Sequence, residues 1–434
     1  MTEPLGIAIL GCGTVGTGVA KLLLDHRDRL AQRAGRPLVL RAVVVRDLHK
    51  VRAVELPAGI VTVDPDVALH DPAVHVVVEL IGGTTTAKAL VLAALKAGKH
   101  VVTANKALLA HHGAELFDAA RAAGRAIAFE AAVAGGVPIV RALAESLAAN
   151  QVTALQGILN GTSNFILTSM AERGATYAEA LAEAQKLGYA EADPTLDVDG
   201  SDAAHKLAVL AQIAFGVQAR PDQIEKHGID TIDPLDVRFA HELGYTIKLL
   251  AEAWLTGTQV ALHVAPVLLR HTDMLAQVRG AFNAVQVVGD VVGETLYQGP
   301  GAGMFPTASA VVSDLIDFAV GRAQRTFAAA KLWSSETRGF TVEPSEKVRS
   351  RFYLRALVLD RPGVLADVCR VLADEAISIS SVIQHEAVEG HPDRAVPLVI
   401  MTHYAETGKF RAAIERINRL PAMAGDAVYY SVDD

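Results

Sequence analysis

Two stretches of this 434-residue chain combine residue types at spacings that can do chemistry. The first is Gly11-Cys12-Gly13-Thr14-Val15-Gly16. It follows an apolar run and opens a helical pattern, which is the context in which a GxGxxG loop cradles a pyrophosphate. Gly11 permits the tight turn, Gly13 lets the backbone approach the anion, and Gly16 lets helix and strand pack closely. The free N–H groups of the helix start, at Thr14 and Val15, complete the cradle. Cys12 reads as a small apolar filler. The second strand ends at Val45 and is followed by Arg46 and Asp47, with Lys50 beyond. An acid at this point binds the ribose 2′-hydroxyl of NAD, whereas an arginine pairs with the 2′-phosphate of NADP. Arg46 and Lys50 therefore favour NADP, Asp47 keeps NAD open, and a solvated turn arginine is the alternative reading.

The second stretch is Gly188–Leu210, GYAEADPTLDVDGSDAAHKLAVL. Glu191, Asp193, Asp197, Asp199 and Asp202 precede His205 and Lys206. Such a run is either a solvated loop or a charged site. Asp202 and Lys206 are spaced i, i+4 on an apolar helix and so share one face. Ala203, Leu207 and Leu210 imply that this face is partly buried, where a lysine needs a paired carboxylate. An ammonium held in that way can stabilise an alkoxide and donate a proton to it.

The elements that must position these groups are legible as patterns. Ile7–Leu10, Leu38–Val45, Val74–Leu80, His100–Thr103 and Ala126–Glu130 read as strands. Helical stretches at Val15–Leu30, Thr86–Ala97 and Leu108–Ala123 alternate with them. This βαβ alternation predicts an α/β fold with a Rossmann-type doubly wound parallel sheet. Helices at Val137–Ala149, Phe165–Arg173, Thr176–Leu187 and Asp202–Phe215 then mix with strands Val152–Leu159 and Gln259–Leu268, predicting an inserted α+β domain, which the family resemblance given below implies is the catalytic and dimerisation domain. Pro306–Ala328 reads as one long helix. The polar segment 335–350 reads as a linker. After it come a strand (Phe352–Leu359), a helix (Gly363–Ala376), two strands (Ile379–His385, Val396–Thr402), a helix (Ala405–Arg419) and a last strand (Ala427–Ser431), a ferredoxin-like order. The expected domains are 1–136 for the nucleotide, completed by helix 306–334, then 137–305, linker 335–350 and 351–434.

Composition narrows the function classes. Half of the residues are apolar (51%) and a fifth charged (20%), so burial is ample. A net charge of -8 lacks the basic footprint of a nucleic-acid binder. The N terminus lacks the pattern of a signal peptide, and no apolar run reaches the roughly 18–20 residues that span a bilayer. Only Cys12 and Cys369 are present, far apart, which argues against a disulfide framework or zinc site. The expected location is the cytoplasm, with no membrane or nucleic-acid partner.

The Gly188–Leu210 stretch resembles the signature of homoserine dehydrogenases. The resemblance extends to Thr103-Ala104-Asn105-Lys106, Glu130–Pro138, Asn160-Gly161-Thr162-Ser163-Asn164 and Gly299–Ser313, in order over residues 5–330. It implies reduction of aspartate 4-semialdehyde to homoserine with NADH or NADPH, on the way to threonine, methionine and isoleucine. It implies that Lys206 is the general acid on the aldehyde oxygen, that Lys106 is a second active-site lysine near the nicotinamide, and that Asp202 is a carboxylate beside them. Glu191 would bind the substrate amino group, Asp197 would be another site acid, and Asn160, Gly161 and Thr162 would form a loop approaching the substrate. His205 would orient its neighbours or be neutral. Gly301 and Gly303 would belong to a loop closing on the cofactor. Glu130, with the carbonyls of Val133, Gly135 and Val137, would hold a monovalent cation, usually sodium; the alternative for Glu130 is a strand-end acid capping a helix. Asp360-Arg361-Pro362-Gly363-Val364-Leu365 resembles the first turn of ACT domains. That implies an amino-acid effector (threonine is expected) held around Asp360, Gly363, Val364 and Leu365, and a homodimer or homotetramer. A purely structural dimerisation module is the alternative for this domain.

Two rival readings remain at this level. Aspartate-semialdehyde dehydrogenase, a related NAD(P)-dependent enzyme, needs a cysteine nucleophile, and neither cysteine is placed for one. A non-catalytic amino-acid and nucleotide sensor would not require Lys106 and Lys206 together with the acids around Glu191. Arg46→Ala is expected to weaken NADPH binding more than NADH binding in fluorescence titrations; equal losses would remove the 2′-phosphate reading.

Overall fold

The computed structural model describes residues 3–334, 340–384 and 395–433. The chain divides into two units. The first comprises Met1–Gly161, Asp202–Ile224 and Ala281–Thr341, and the second Thr162–Ser201, Glu225–Gly280 and Val342–Asp434.

In the first unit, β1 (Leu5–Leu10), β2 (Leu38–Val44), β3 (Val61–Thr62), β4 (Val76–Glu79), β5 (His100–Thr103) and β6 (Ile127–Ala128) form one sheet in the order β3-β2-β1-β4-β5-β6. Every pairing is parallel. The order reverses direction beside β1, and ligands of such sheets bind at the carboxyl ends of the strands near that point. Strands buried on both faces read as continuous apolar runs, and β1 is buried at all six positions. A second, antiparallel group in this unit pairs Val152–Ile158 with Phe282–Gly289, and the latter with Gly293–Pro300.

Several boundaries differ from the sequence expectation, each for a local reason. The stretch Val15–Leu30 is not one helix. It breaks at His26 into Thr14–Asp25 and Arg27–Ala34, which turns Leu30 and Ala34 onto the same core as Leu23. Strand Ala126–Glu130 shrinks to Ile127–Ala128, and Glu130 opens a 3-10 turn because its carboxylate is taken by backbone amides. In place of helix Val137–Ala149 there is a short α segment, Ile139–Arg141, and a widened π segment, Ala142–Ser146. The predicted single helix Pro306–Ala328 is two helices, Met304–Val320 and Arg322–Ala330, bent by 93°. Gly321 ends the first at φ 78, a left-handed conformation that glycine adopts without a Cβ penalty. Among the described residues no single helix is long and apolar enough to cross a membrane.

In the second unit, Tyr245–Thr256 and Gln259–Arg270 form a long antiparallel pair. The C-terminal strands Arg349–Leu359, Ile379–Gln384, Ala395–Thr402 and Val428–Asp433 carry helices Val364–Asp374 and Thr407–Ile417, in the expected ferredoxin-like order. Position 385 of the expected strand Ile379–His385 lies outside the described residues, as do 335–339 of the linker. The start of the predicted helix Ala405–Arg419 is instead a two-residue strand, Ala405–Glu406, paired with Arg349 and Ser350. The last strand has a second partner: Ser431–Asp433 run parallel to Val267–Leu269. The C-terminal sheet is thereby continuous with the Gln259–Arg270 strand.

A buried charge cluster lies in the same unit. Asp236, fully buried on helix Pro234–Glu242, accepts from the Arg355 guanidinium at 2.5 and 2.8 Å and from the Tyr353 hydroxyl at 2.9 Å. The Tyr430 hydroxyl lies at 3.4 Å. Breaking a buried pair leaves one charge uncompensated and costs about 3–5 kcal/mol, whereas apolar replacement of both partners is far milder. Asp236→Ala is therefore expected to lower stability by about 3 kcal/mol in urea denaturation, and the Asp236→Leu/Arg355→Leu double variant to recover most of it. A double variant no more stable than Asp236→Ala would show that the charge pair is not the source of the loss.

Candidate active site

The phosphate loop fits a dinucleotide on its own geometry. Gly11 has φ 97 and passes so close to Leu80 that a Cβ would sit 2.7 Å from its carbonyl oxygen. A Cβ on Gly16 would meet the Gly11 carbonyl at 2.1 Å. Gly13 faces open space, and helix Thr14–Asp25 starts with no side-chain cap, so its first N–H groups are available to an anion. Arg46, Asp47 and Lys50 are exposed just beyond β2. Arg52 folds back onto the Asp47 and Lys50 carbonyls.

At the carboxyl ends of β4 and β5, Glu79 organises the next two loops. Its carboxylate accepts the amides of Ile81 and Gly82 at 2.9 and 3.2 Å and the Thr103 hydroxyl at 2.6 Å. Thr103 in turn accepts the Asn105 amide, and Asn105 caps the helix that follows through the Leu108 amide. That helix, Lys106–Ala122, starts two residues earlier than the expected Leu108, which places Lys106 in its first turn. A cation at a helix N-terminus opposes the macrodipole and needs a compensating anion. Asp202 supplies it at 3.0 Å.

Asp202 is the hub of the site. Its other oxygen accepts from Lys206 Nζ at 2.7 Å and from Asn160 Nδ2 at 2.9 Å. Asp202 and Lys206 are 8% and 9% exposed, which places both inside the protein wall. Burial alone would raise the Asp202 carboxyl, but the charges of Lys206 and Lys106 outweigh it and hold the group well below the usual carboxylate range. Lys206 also donates to the Leu159 carbonyl at 2.5 Å, and that carbonyl receives the Asn283 amide at 2.9 Å. Among the described residues the carboxamide oxygen of Asn283 has no partner. A Cβ on Gly301 would lie 2.1 Å from the Asn283 side chain, so glycine is needed there for close packing. Gly303, at φ 118, precedes helix Met304–Val320. The ring of His205 packs edge-on to His111 at 5.4 Å.

The structure thus brings Lys106, Lys206, Asp202 and Asn160 together in the first unit. Gly161 and Thr162 are not loop residues: helix Gly161–Arg173 begins four residues before the predicted Phe165, and Gly161 packs so closely on the Ala281 carbonyl that a Cβ would be 2.7 Å away. Glu191 and Asp197 lie in the second unit. Thr162 donates to the Tyr189 carbonyl and Ser163 to the Asp197 carbonyl, both at 2.7 Å, tying this acidic loop to the helix start. Two of the five acids serve local turns: Asp193 accepts from Thr195, and Asp199 from Ser201 and Lys226. Glu191 is exposed and Asp197 half-buried. Glu79 and Asn283 escaped the sequence reading. Glu79 had one available signal, an acid closing an apolar strand; Asn283 had none. Lys248 also escaped it. It is buried in a strand, donates to Asn164 and the Val278 carbonyl, and burial pushes its ammonium down to about 8.

Glu130 performs the capping role raised from sequence. It is buried, and its oxygens accept the amides of Val140 and Arg141 at 3.0 and 2.9 Å. Its own amide donates to Asp314, and Arg141 bridges Asp314 and Asp317. Burial, outweighing Arg141 and the two amides, pushes the Glu130 carboxyl up to about 7. Gly136 N donates to the Pro300 carbonyl, so the Glu130–Pro138 turn packs directly on the Gly301–Gly303 loop.

A doubly wound parallel sheet, a glycine phosphate loop and a lysine pair around a buried carboxylate define a nicotinamide-dependent dehydrogenase. Comparison with known proteins makes this specific. Residues 11–130 match the family profile described as Homoserine dehydrogenase, NAD binding domain, residues 138–316 that described as Homoserine dehydrogenase, and residues 352–422 the ACT domain. A homoserine dehydrogenase of Pseudomonas aeruginosa is 44% identical, with 99% of each chain covered. The crystal structure of a homoserine dehydrogenase from Thiobacillus denitrificans superposes with a TM-score of 0.92 at 44% identity, covering 100% of this chain and 99% of that one. A hyperthermophilic archaeal homoserine dehydrogenase in complex with NADPH gives a TM-score of 0.60 at 27% identity, over 72% of this chain and 97% of that one. The chain belongs to the homoserine dehydrogenase family, and is an NAD(P)-dependent oxidoreductase with a C-terminal ACT domain.

The buried Glu130 carboxyl titrates in a readable range. Its folded pKa lies above the unfolded value, so the folded state binds the proton more tightly and stability falls as pH rises from about 4.5 through 7. The stability difference between Glu130→Gln and wild type is expected to grow in favour of Gln from pH 5 to 8, by at most roughly 3 kcal/mol. Thermal melts across that range check it; a flat difference would contradict the burial argument.

Proposed function

We propose that Lys206 is the general acid on the aldehyde oxygen of aspartate 4-semialdehyde, that Lys106 is a second ammonium beside the same oxygen, and that Asp202 fixes both. A bound NAD(P)H supplies the hydride and the protein supplies orientation. The observation that carries this reading is the Lys106–Asp202–Lys206 arrangement, with separations of 3.0 and 2.7 Å. The buried carboxylate holds both ammonium groups at one point. Lys206 spends two of its three N–H groups on Leu159 and Asp202, which leaves one for the alkoxide that hydride addition creates. Asn160 holds the second Asp202 oxygen, and Asn283 fixes the carbonyl that Lys206 uses. Glu191 is proposed to bind the substrate amino group and Asp197 to be another acid of the site, with Asn160, Gly161 and Thr162 shaping the approach. Arg46 and Lys50, exposed beyond β2, support acceptance of NADP, and Asp47 beside them keeps NAD open. Gly11, Gly13, Thr14, Val15, Gly16, Gly301 and Gly303 would hold it.

We propose four further features. Sodium would be bound by Glu130 and the carbonyls of Val133, Gly135 and Val137. The donor set is hard oxygen, as such an ion requires, although both Glu130 oxygens already accept amides and Val137 O accepts the Ile139 amide. Threonine would bind at Asp360, Gly363, Val364 and Leu365, where Gly363 at φ 95 caps helix Val364–Asp374 and a small cavity is lined by this turn and Gln384. A homodimer or homotetramer is supported by the outer strand Ile379–Gln384, an edge of its sheet that is largely exposed. The domain division at 136, 305, 335 and 350 is likewise proposed.

The deciding assay follows NADPH and NADH oxidation with aspartate semialdehyde, with and without threonine. Lys206→Ala should abolish turnover while leaving NADPH binding nearly intact; a near-wild-type rate would remove the assigned role. Truncation at about residue 340 is a poor test of regulation, because it strips a paired strand from Val267–Leu269 and leaves Asp236 without Arg355. Gly363→Val should instead relieve threonine inhibition at unchanged kcat, and inhibition that persists would move the effector site elsewhere.

A further inference from the structure

A second cavity in the second unit is lined by charged and polar groups that neither the reaction nor the ACT turn uses. It encloses about 1110 Å³ open to solvent, between Gln259–Arg270, helix Thr407–Ile417 and strand Val428–Asp433. Arg411 on the helix forms an ion pair with Glu225, and the Glu225 carboxylate also meets His227 Nε2 at 2.8 Å. His263, from Gln259–Arg270, bonds Glu252 through Nε2 at 2.7 Å. Its Nδ1 is buried with no hydrogen-bond partner among the described residues. Leaving a buried polar atom unmatched is costly, so a built but unmatched nitrogen points to a missing partner. Thr231 and Tyr429 also line the space.

We propose that this cavity binds a small zwitterion of the α-amino-acid class, at a site distinct from the Asp360–Leu365 turn. The charge arrangement selects that class. A simple anion would draw Arg411 away and be left facing the Glu225 carboxylate. A simple cation would be left facing Arg411. A molecule carrying both an ammonium and a carboxylate offers each wall its counter-charge, and its carboxylate suits the planar fork of Arg411. A free amino acid is also small enough to enter, and the hydroxyl and aromatic lining accepts a short side chain. Bound there, the ligand would brace the seam where Ser431–Asp433 pair with Val267–Leu269, because two of the three walls are the strands of that seam. The proposal does not depend on the assignment of the dehydrogenase active site.

The test uses the full chain, isothermal titration and hydrogen–deuterium exchange. L-threonine, L-isoleucine and L-methionine are the probes, with N-acetyl-L-threonine and L-threoninamide as controls that each lack one charge. At least one free amino acid should bind and slow exchange in 259–270 and 407–417, and neither blocked analogue should. Arg411→Met should weaken that binding at least about tenfold, while Gly363→Val leaves it unchanged. If Arg411→Met does not fold, Glu225→Gln and Arg411→Lys replace it, each expected to lose at least about fivefold. The proposal is overturned if no probe protects these segments, if the blocked analogues protect them equally, if the folded Arg411 and Glu225 variants bind like wild type, or if Gly363→Val abolishes the protection.

Discussion

The Asp202 carboxylate is the constraint on which the catalytic unit depends. Two ammonium groups from different helices converge on it, one of them set against its own helix dipole. Neither placement is stable without a buried anion between them, and a buried anion is not stable without the two cations. The surrounding architecture supplies what remains unsatisfied. Asn160 takes the spare valence of one oxygen, and the Leu159 carbonyl takes a proton of Lys206. Asn283 anchors that carbonyl, and Gly301 makes room for Asn283. Reactivity at this point follows from charge that is already paid for by the fold.

The same logic governs the ends of β1, β4 and β5. Three loops leave the sheet at one edge, and backbone close enough to hold a phosphate leaves no space for side chains. Glycine serves at the tightest places, and a buried acid, Glu79, gathers the amides of the neighbouring loop. The Glu130 turn does the same for residues 140 and 141, at the cost of a carboxyl held high enough to titrate near neutrality.

In the second unit the C-terminal module is not an appendage on a linker. Its last strand completes the sheet beside Gln259–Arg270, and Arg355, Tyr353 and Tyr430 converge on the buried Asp236. A ligand-induced shift in that module therefore has a hydrogen-bonded and an ionic route into Gln259–Arg270 and helix Pro234–Glu242.

Much of this was readable from the chain alone, because it is local. The GxGxxG loop, the short apolar and helical runs, the i, i+4 spacing of Asp202 and Lys206, and the turn at Gly363 each occupy a few consecutive residues, and their physics acts over that distance. The parallel sheet and the ferredoxin-like order followed from the succession of such runs. What tertiary structure alone decided is which distant groups meet. Lys106 and Asp202 are far apart in sequence, and no pattern announces that one neutralises the other. Asn283 is an ordinary strand asparagine until Leu159 lies opposite it. The spacing set Asp202 apart from the acids before it but did not tell those acids from one another: Asp193 and Asp199 fold into turns, while Asp202 goes inside with the first turn of helix Ser201–Phe215. The bend at Gly321, the split at His26 and the shortening of the sixth strand have the same origin: local propensity allowed a continuous element, and packing against the core or a buried acid ended it.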